Sequence, residues 1–391
     1  MKSKSKIIIK EGREKPILQR HQWIFSGAVE SKPSDGKGSI VPVYSKSGNL
    51  LAHAMYNPDV SIVGRIISFG SADPLVEIKK NIGEACKMRM NAFDNSQTNA
   101  YRLINAEGDF LPGLVVDRYD DVLVMQIFSS GMDNIRELIV NELVKICKPK
   151  AIYEKSRHGS RQEEGLQSEE RMVYGNADDK ILILENGNKF IVSPKTGQKT
   201  GFFLDQREMR KKIGELSSGK KVLNCFSYTG GFSIYALKGG ACSVDSVELS
   251  QSAQELAEKN VQINDIDAAK HRTIKAGVFD FLKEDSLDYN LIILDPPAFA
   301  KKRNDVNSAC KGYKDINYMT LKKIPPNSLL LTCSCSAHVP SDLFQKVVFQ
   351  AALLAGRKVQ IIGRHHQGMD HPINIYHPET EYLKSLLLYI M

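Results

Sequence analysis

Two cysteines one residue apart, in Thr332-Cys333-Ser334-Cys335-Ser336, follow the apolar run Leu329-Leu330-Leu331, and Asp295-Pro296-Pro297-Ala298-Phe299 follows the run Leu291-Ile292-Ile293-Leu294. Side chains alternate along a strand, so the two thiols share a face as long as the strand stays extended. A thiolate suits chemistry at a carbon that is otherwise a poor nucleophile. Added to C6 of a cytosine, it turns C5 into an enamine-like carbon able to attack an electrophilic methyl group, after which a base removes the C5 proton and the thiolate leaves. In the second segment the two prolines hold the chain extended and remove two N–H donors. The Asp295 carboxylate and nearby carbonyls can then meet a planar ring stacked on an aromatic such as Phe299. The plainer alternatives are two packed thiols and a rigid turn with a capping aspartate. No other Cys or His stands at ligand spacing from the pair, so a zinc site is not expected.

A second group of residues surrounds a glycine turn. After Val222-Leu223-Asn224 come Cys225-Phe226-Ser227-Tyr228-Thr229-Gly230-Gly231-Phe232 and then a helical pattern. Adjacent glycines admit positive φ and let backbone approach a ligand closely. Glu248 ends the next strand pattern, where a carboxylate can accept two ribose hydroxyls. The turn lacks the G-x-G-x-x-G of a pyrophosphate binder, which argues against a nicotinamide or flavin dinucleotide. Gly214 to Lys220 matches the first seven positions of a phosphate loop, but Lys221 stands where Ser or Thr would hold magnesium, and a basic helix precedes it. ATP hydrolysis is therefore not expected.

The elements that must position these residues are legible in outline. From about residue 189 onward short apolar strands alternate with amphipathic helices, the pattern of a doubly wound parallel sheet whose ligands bind at the carboxyl ends of the strands. Residues 39–68 alternate short β-rich runs with Gly, Asn, Pro and Asp turns, as in a small barrel or meander. Pro74 to about Phe93 and Met132 to Cys147 have helical spacing, Leu114–Phe128 reads as paired strands, and the polar stretch 155–180 reads as a loop near a domain boundary. The predicted organisation is 1–72, 73–188 and 189–391, in keeping with a chain of 391 residues at roughly 100 to 200 residues per domain.

Composition narrows the classes. Hydrophobic residues are 42% and charged residues 25%, which excludes a disordered or collagen-like chain. No apolar run reaches the roughly 18 residues of a membrane span, and the start MKSKSKIIIKEG has no secretory signal core, so a cytoplasmic protein without membrane contact is expected. Seven cysteines with no C-x-x-C spacing predict reduced, mostly buried thiols. Residues 1–70 hold eleven Lys or Arg against five Asp or Glu, a net +6 of the chain's +8. Such a basic module suits a polyanion such as nucleic acid, with Lys15, Arg20 and Arg65 as candidate phosphate contacts.

The motifs together resemble the bacterial large-subunit ribosomal RNA cytosine-5 methyltransferases that carry an N-terminal PUA (RNA-binding) domain. The resemblance runs along the whole chain. It rests on Gly12-Arg13-Glu14-Lys15, Arg20 to Gly27, Tyr101 to Ile104, Leu111 to Leu114, Lys199 to Arg207, Asn224 to Phe232, Asp295 to Phe299, Gly312 to Asn317 and Asp370-His371-Pro372. It implies a β-rich PUA-like domain, a middle α/β domain and a class I, Rossmann-like methyltransferase domain that uses S-adenosylmethionine (SAM). It implies large-subunit (23S) ribosomal RNA as partner and Cys335 as nucleophile, with Cys333 a neighbour. Ala298 stands where other RNA cytosine-5 methyltransferases carry a second cysteine, so a one-cysteine mechanism is implied.

By the same resemblance Asp205, Gln206, Arg207, Asn224, Phe226, Ser227, Thr229, Gly230, Gly231, Glu248 and Asp295 face the cofactor, and Pro296, Pro297 and Phe299 face the base. Asp295 is also a candidate proton acceptor, ahead of His338. Ala276-Gly277 replace the usual acidic residue at the adenine amino group, which leaves Asp280 or backbone for that contact. His365, His366, His371 and His377 lack an accompanying carboxylate set, so no metal is expected. A homodimer is left open. Two other functions remain compatible: a guanine N2 methyltransferase that needs no thiol, and a non-catalytic RNA-binding assembly factor.

Overall fold

The computed structural model describes residues 5–34, 36–157, 159–283 and 287–391. Lys2, Lys4 and Asp35 of the charge count above lie outside them. Backbone contacts divide the chain into two units, one formed by Met1–Leu184, Val192–Leu204 and Met369–Thr380, the other by Glu185–Ile191, Asp205–Gly368 and Glu381–Met391. No helix among the described residues is long and apolar enough to cross a membrane.

The first unit holds two sheets. The six strands of one lie between Ile7 and Phe69, the longest being Ile40–Ser45, Leu50–Tyr56 and Ile62–Phe69, paired antiparallel. In Ile40–Ser45 the residues Val41, Val43 and Ser45 are buried and their neighbours partly exposed, the period of two that puts one face on a core. That core is closed by Ile7, Ile9, Ala52, Ala54, Val63 and Ile66. The helix Pro74–Ala92 begins where Asp73 accepts hydrogen bonds from Leu75 N and Val76 N, with proline in its first turn.

The second sheet consists of Ala100–Asn105, Leu114–Tyr119, Val122–Ile127, Ala151–Ser156 and Glu169–Gly175. Two sequence expectations change here. The helical spacing from Met132 to Cys147 is realised as two helices, Ser130–Asn134 and Arg136–Cys147, because Ile135 at φ −110° leaves the helical region. The stretch 155–180 is more than a loop: it contains the helix Gly159–Glu163 and the strand Glu169–Gly175, which pairs antiparallel with Ala151–Ser156. An edge strand is held by backbone bonds on one side and buries little, so it shows no apolar alternation to read.

The second unit is built on a seven-stranded sheet. Its spatial order is His271–Lys275, Ser243–Glu248, Lys221–Cys225, Leu291–Leu294, Ser328–Ser334, Lys384–Ile390 and Val359–His365. The first five are parallel, and the last two join antiparallel. Helices Gly231–Lys238, Gln251–Ile263, Val278–Phe281, Val306–Lys323 and Ser341–Leu354 alternate with the strands, giving the doubly wound α/β architecture. The register aligns Cys225 with Val247 and Leu294, and Leu294 with Thr332. Consequently Phe226 to Gly230, Glu248, Asp295 and Cys335, each just past or at the end of its strand, emerge at one edge of the sheet.

Candidate active site

The turn after Lys221–Cys225 is conformationally demanding. Phe226 and Tyr228 sit at φ 60° and 48°, and Gly230 at φ 80°. Two bulky non-glycine residues in the left-handed region cost free energy that a plain connection would avoid. Gly230 has a second constraint, since a Cβ there would stand 3.1 Å from Ala257 Cβ. Glu248 is fixed over this turn: its Oε2 accepts from Tyr228 N and its Oε1 from Ser250 N, both at 2.9 Å. Each carboxylate oxygen keeps a further lone pair for a ligand hydroxyl. Asn224 donates to Ser233 Oγ at 2.9 Å beneath the turn, and Ser227 and Thr229 are buried.

Gln206 reaches from the start of the helix Arg207–Leu216 and donates to Asp295 Oδ1 at 2.9 Å, tying the Lys199 to Arg207 motif to the Asp295 loop. Asp205 accepts from Tyr382 Oη at 2.7 Å. Arg207 is buried with its Nε 3.4 Å from Glu208 Oε1. Asp280 lies apart from such constraints, its side chain 77% exposed and paired with Lys283 at 2.7 Å.

The two thiols part company. The strand ends at Ser334, so Cys333 is inside it and fully buried, while Cys335 is outside it and partly exposed. The shared face expected of an extended strand is not realised. Burial, and then the Asp295 charge, push the Cys333 thiol well above its ordinary range and hold it neutral. Cys335 Sγ donates to the carbonyl of Pro296 at 3.8 Å, which sets it against the Asp295-Pro296-Pro297 loop. Pro297 is exposed, and Phe299 is half-buried with its ring 4.6 Å from that of Tyr313. Below the thiol, Ser336 Oγ accepts from Ala300 N at 3.1 Å and bonds Tyr313 Oη at 2.9 Å. His338 is exposed two residues beyond.

Two residues at this edge were not singled out by the sequence: Lys384, which donates to the Ser336 carbonyl at 2.6 Å, and Tyr382. The available signal was a lysine opening the apolar run Lys384-Ser385-Leu386-Leu387-Leu388. Of the seven free thiols only Cys86, Cys225 and Cys333 are buried, fewer than expected, and Cys242 is exposed. Cys86 and Cys147, 3.8 Å apart, belong to the core beside the five-stranded sheet.

In the first unit Lys15 and Arg20 are exposed, the Arg20 guanidinium lying 5.7 Å from the Phe69 ring centroid and 6.0 Å from that of Tyr376. Arg65 is turned inward, pairing with the buried Glu164 at 2.8 Å. Among the described residues one group has metal-ligating types together, His21, His377 and Glu379. Trp23 N donates to His21 Nδ1 at 3.2 Å, which places the neutral ring's proton on Nε2, facing Glu379 Oε2 at 3.4 Å. Against the expectation that His377 lacks a carboxylate companion, the structure places Glu379 Oε2 3.8 Å from its Nε2.

The fold and this edge define a nucleoside-cofactor transferase site, and comparisons with known proteins agree. A family model described as S-adenosylmethionine-dependent methyltransferase matches residues 109–355, and one described as PUA-like domain matches 7–69. Among solved structures the chain is similar to a chain described as a SAM-dependent methyltransferase from Streptococcus mutans, at 27% identity and TM-score 0.85, covering 99% of this chain and 100% of that one. A chain described as a methyltransferase complexed with SAH (the demethylated cofactor) aligns with TM-score 0.87 at the same 27% identity and the same coverage. The protein is thus a SAM-dependent methyltransferase.

More particularly, it is 42% identical to the ribosomal RNA large subunit methyltransferase I of Pseudoalteromonas atlantica, over 99% of this chain and 100% of the relative. It is 41% identical to the Tolumonas auensis protein of that name, over 98% of each. The chain belongs to the ribosomal RNA large subunit methyltransferase I family.

The residues present fit SAM. Gln206 Oε1, Asn224 Oδ1 and Thr229 Oγ1 are buried polar atoms with no hydrogen-bond partner among the described residues; Thr229 lies on the turn that the fixed Glu248 faces, Asn224 near the end of the strand before it and Gln206 on Asp295. Removing the Glu248 side chain (Glu248→Ala) is expected to weaken SAM binding by roughly 1.5–3 kcal/mol, about ten- to a hundredfold. Titration calorimetry checks this, and unchanged affinity would place the ribose elsewhere.

Proposed function

We propose that this chain methylates C5 of a cytosine in large-subunit (23S) ribosomal RNA through a covalent bond between Cys335 and C6. The observation that carries the reading is the placement of Cys335: a partly exposed thiol just past its strand, against the Pro296 carbonyl of the Asp295 loop, beside a Cys333 that burial keeps neutral. A guanine N2 methyltransferase has no use for a thiol there. An assembly factor without catalysis has no use for the strained turn and fixed Glu248.

In this mechanism the electron pair of the Cys335 thiolate forms the bond to C6, and the displaced C5–C6 π pair makes C5 the nucleophilic, enamine-like carbon. Asp295, held by Gln206, contacts the amide-like edge of the base and raises the electrophilicity of C6. Bound SAM supplies the electrophilic methyl group that C5 takes up. Asp295, ahead of His338, is the candidate to accept the C5 proton, and the thiolate then leaves as the C5–C6 double bond returns. Pro296, Pro297 and Phe299 form the wall the base meets. Lys15 and Arg20 hold phosphates, while the target base must be unpaired or flipped out to reach the thiol. Arg65 is better assigned to structure, since Glu164 neutralises it. Asp280 or backbone takes the adenine contact.

The reading involves no resident metal and a cytoplasmic setting, where free thiols persist. It also keeps three domains, 1–72, 73–188 and 189–391. The six-stranded, five-stranded and seven-stranded sheets fall one in each range, while the two-stranded sheet Ile181–Glu185 with Asn188–Val192 straddles the boundary at 188.

The test is incubation with methyl-labelled SAM and unmodified large-subunit ribosomal RNA, followed by mass spectrometry of the nucleosides. Label in 5-methylcytidine is expected. Label in a methylguanosine would overturn the thiol mechanism, and no label with any form of the RNA would favour an assembly factor.

A further inference from the structure

Lys384 is a lysine where an apolar sheet would be served by almost anything else. It opens the strand Lys384–Ile390, stands opposite Ser334 in the register with Ser328–Ser334, and is 5% exposed. A buried ammonium is costly unless a negative group offsets it. Its Nζ donates one N–H to the Ser336 carbonyl at 2.6 Å, which places the charge beside the residue that follows Cys335. The turn it grips is fixed from the other side by Ala300 N and Tyr313 Oη on Ser336 Oγ. The ammonium is therefore held against the backbone of the turn that carries Cys335.

Several neighbours of Cys335 disfavour a negative sulfur. Its Sγ points at the Pro296 carbonyl, the negative end of a dipole. Cys333 behind it is a neutral thiol, and Tyr313 is a phenol whose ionisation burial opposes. Asp295 adds negative charge from the neighbouring strand end. Against these, Lys384 brings a positive charge to the turn that carries Cys335. Burial lowers the Lys384 ammonium to about 8, while the charges of Cys335 and of Glu381 pull it back up.

Resting on the reading of Cys335 as nucleophile, we propose that the Lys384 ammonium holds Cys335 as its thiolate and is the positioning residue for the attack. The balance is simple: the Sγ–H proton goes to bulk water, sulfur keeps the electron pair, and the ammonium keeps its three protons. The same charge stabilises the sulfur again when it leaves C6 at the end of the cycle.

The test reads the thiol directly, without methyl transfer. The full-length protein is alkylated with iodoacetamide across pH 6–10, and modification at Cys335 is followed by peptide mass spectrometry. Lys384→Gln keeps a donor for the Ser336 carbonyl and removes the charge. It is expected to move the Cys335 titration up by a pH unit or more, lowering alkylation at pH 7 by about tenfold or more. Lys384→Arg keeps both donor and charge and is expected to alkylate within about twofold of the unaltered protein, the scatter of an equally charged neighbour. An unshifted profile in a folded Lys384→Gln protein would overturn the proposal. Should that variant not fold, an Arg variant about tenfold slower at pH 7 would overturn it equally. Failure of the underlying reading looks different: Cys335→Ala would still methylate cytosine, whatever the alkylation profile.

Discussion

Replacing Cys335 by alanine is expected to lower methyl transfer by a factor on the order of 10⁴ or more, while SAM affinity and thermal stability stay close to their original values. The magnitude follows from chemistry, because without sulfur on C6 the C5 carbon has no electron pair to offer. The retained affinity follows from geometry: the turn Phe226 to Gly230, Glu248 and Gln206 are assembled by other elements, through bonds that do not involve Sγ, Tyr228 N to Glu248 and Gln206 to Asp295. Cys333→Ala is the informative control. That thiol is fully buried and neutral, so its loss is a packing change, and turnover should fall only a few-fold. A Cys335→Ala enzyme with ordinary turnover would contradict the mechanism, and the same loss in Cys333→Ala alone would move the nucleophile to the wrong side of the strand.

The second large effect concerns stability. Glu185 and Arg210 form a two-bonded pair, Nε to Oε1 at 2.7 Å and Nη2 to Oε2 at 2.6 Å, with side chains 0% and 3% exposed. Arg210 lies on the helix that starts next to Gln206, and the Tyr235 hydroxyl donates to the Glu185 carbonyl at 3.0 Å. Arg210→Met leaves a buried carboxylate uncompensated, at a cost of about 3–5 kcal/mol. For a unit of this size that is a fall in Tm on the order of 10 °C. Calorimetry of the double variant Glu185→Gln, Arg210→Met should recover much of the loss, since it is the orphaned charge and not the missing contact that destabilises. A single variant melting within about 2 °C of the original, less than 1 kcal/mol by the same scaling, would show that water reaches the pair.

What could be read from the sequence follows the physics of each element. The strands Lys221–Cys225, Leu291–Leu294 and Ser328–Ser334 are short, apolar and buried on both faces, so their position and the chemistry at their ends were legible. The helix Pro74–Ala92 was legible from its spacing and its Asp73-Pro74 start. Glu169–Gly175 was not, because an edge strand with mostly exposed residues has no periodicity to betray it. The sheet's last two strands were missed for related reasons. Lys384–Ile390 is an unbroken apolar run behind a charged residue, and Val359–His365 is largely exposed, with a register shift between Ile361 and Gly363.

The site divides in the same way. Residues carried by contiguous motifs, such as Asp295 and the turn at Gly230, were within reach. The distinction between Cys333 and Cys335 depends on where the strand stops, which alternation cannot tell. Lys384 lies 49 positions beyond Cys335 and meets its turn only through antiparallel pairing, a contact no local pattern encodes.

The central claim, a covalent bond from Cys335 to the target base, has a direct test. Large-subunit RNA fragments carrying 5-fluorocytidine are incubated with the protein and SAM, and any covalent product is digested and mapped. Fluorine at C5 cannot be removed as a proton, so after methyl transfer the thiolate has no way to leave. The account predicts a denaturant-stable, SAM-dependent adduct mapped to Cys335 and absent in Cys335→Ala. An adduct on Cys333, or methylation that proceeds while no adduct forms on the fluorinated RNA, would contradict it.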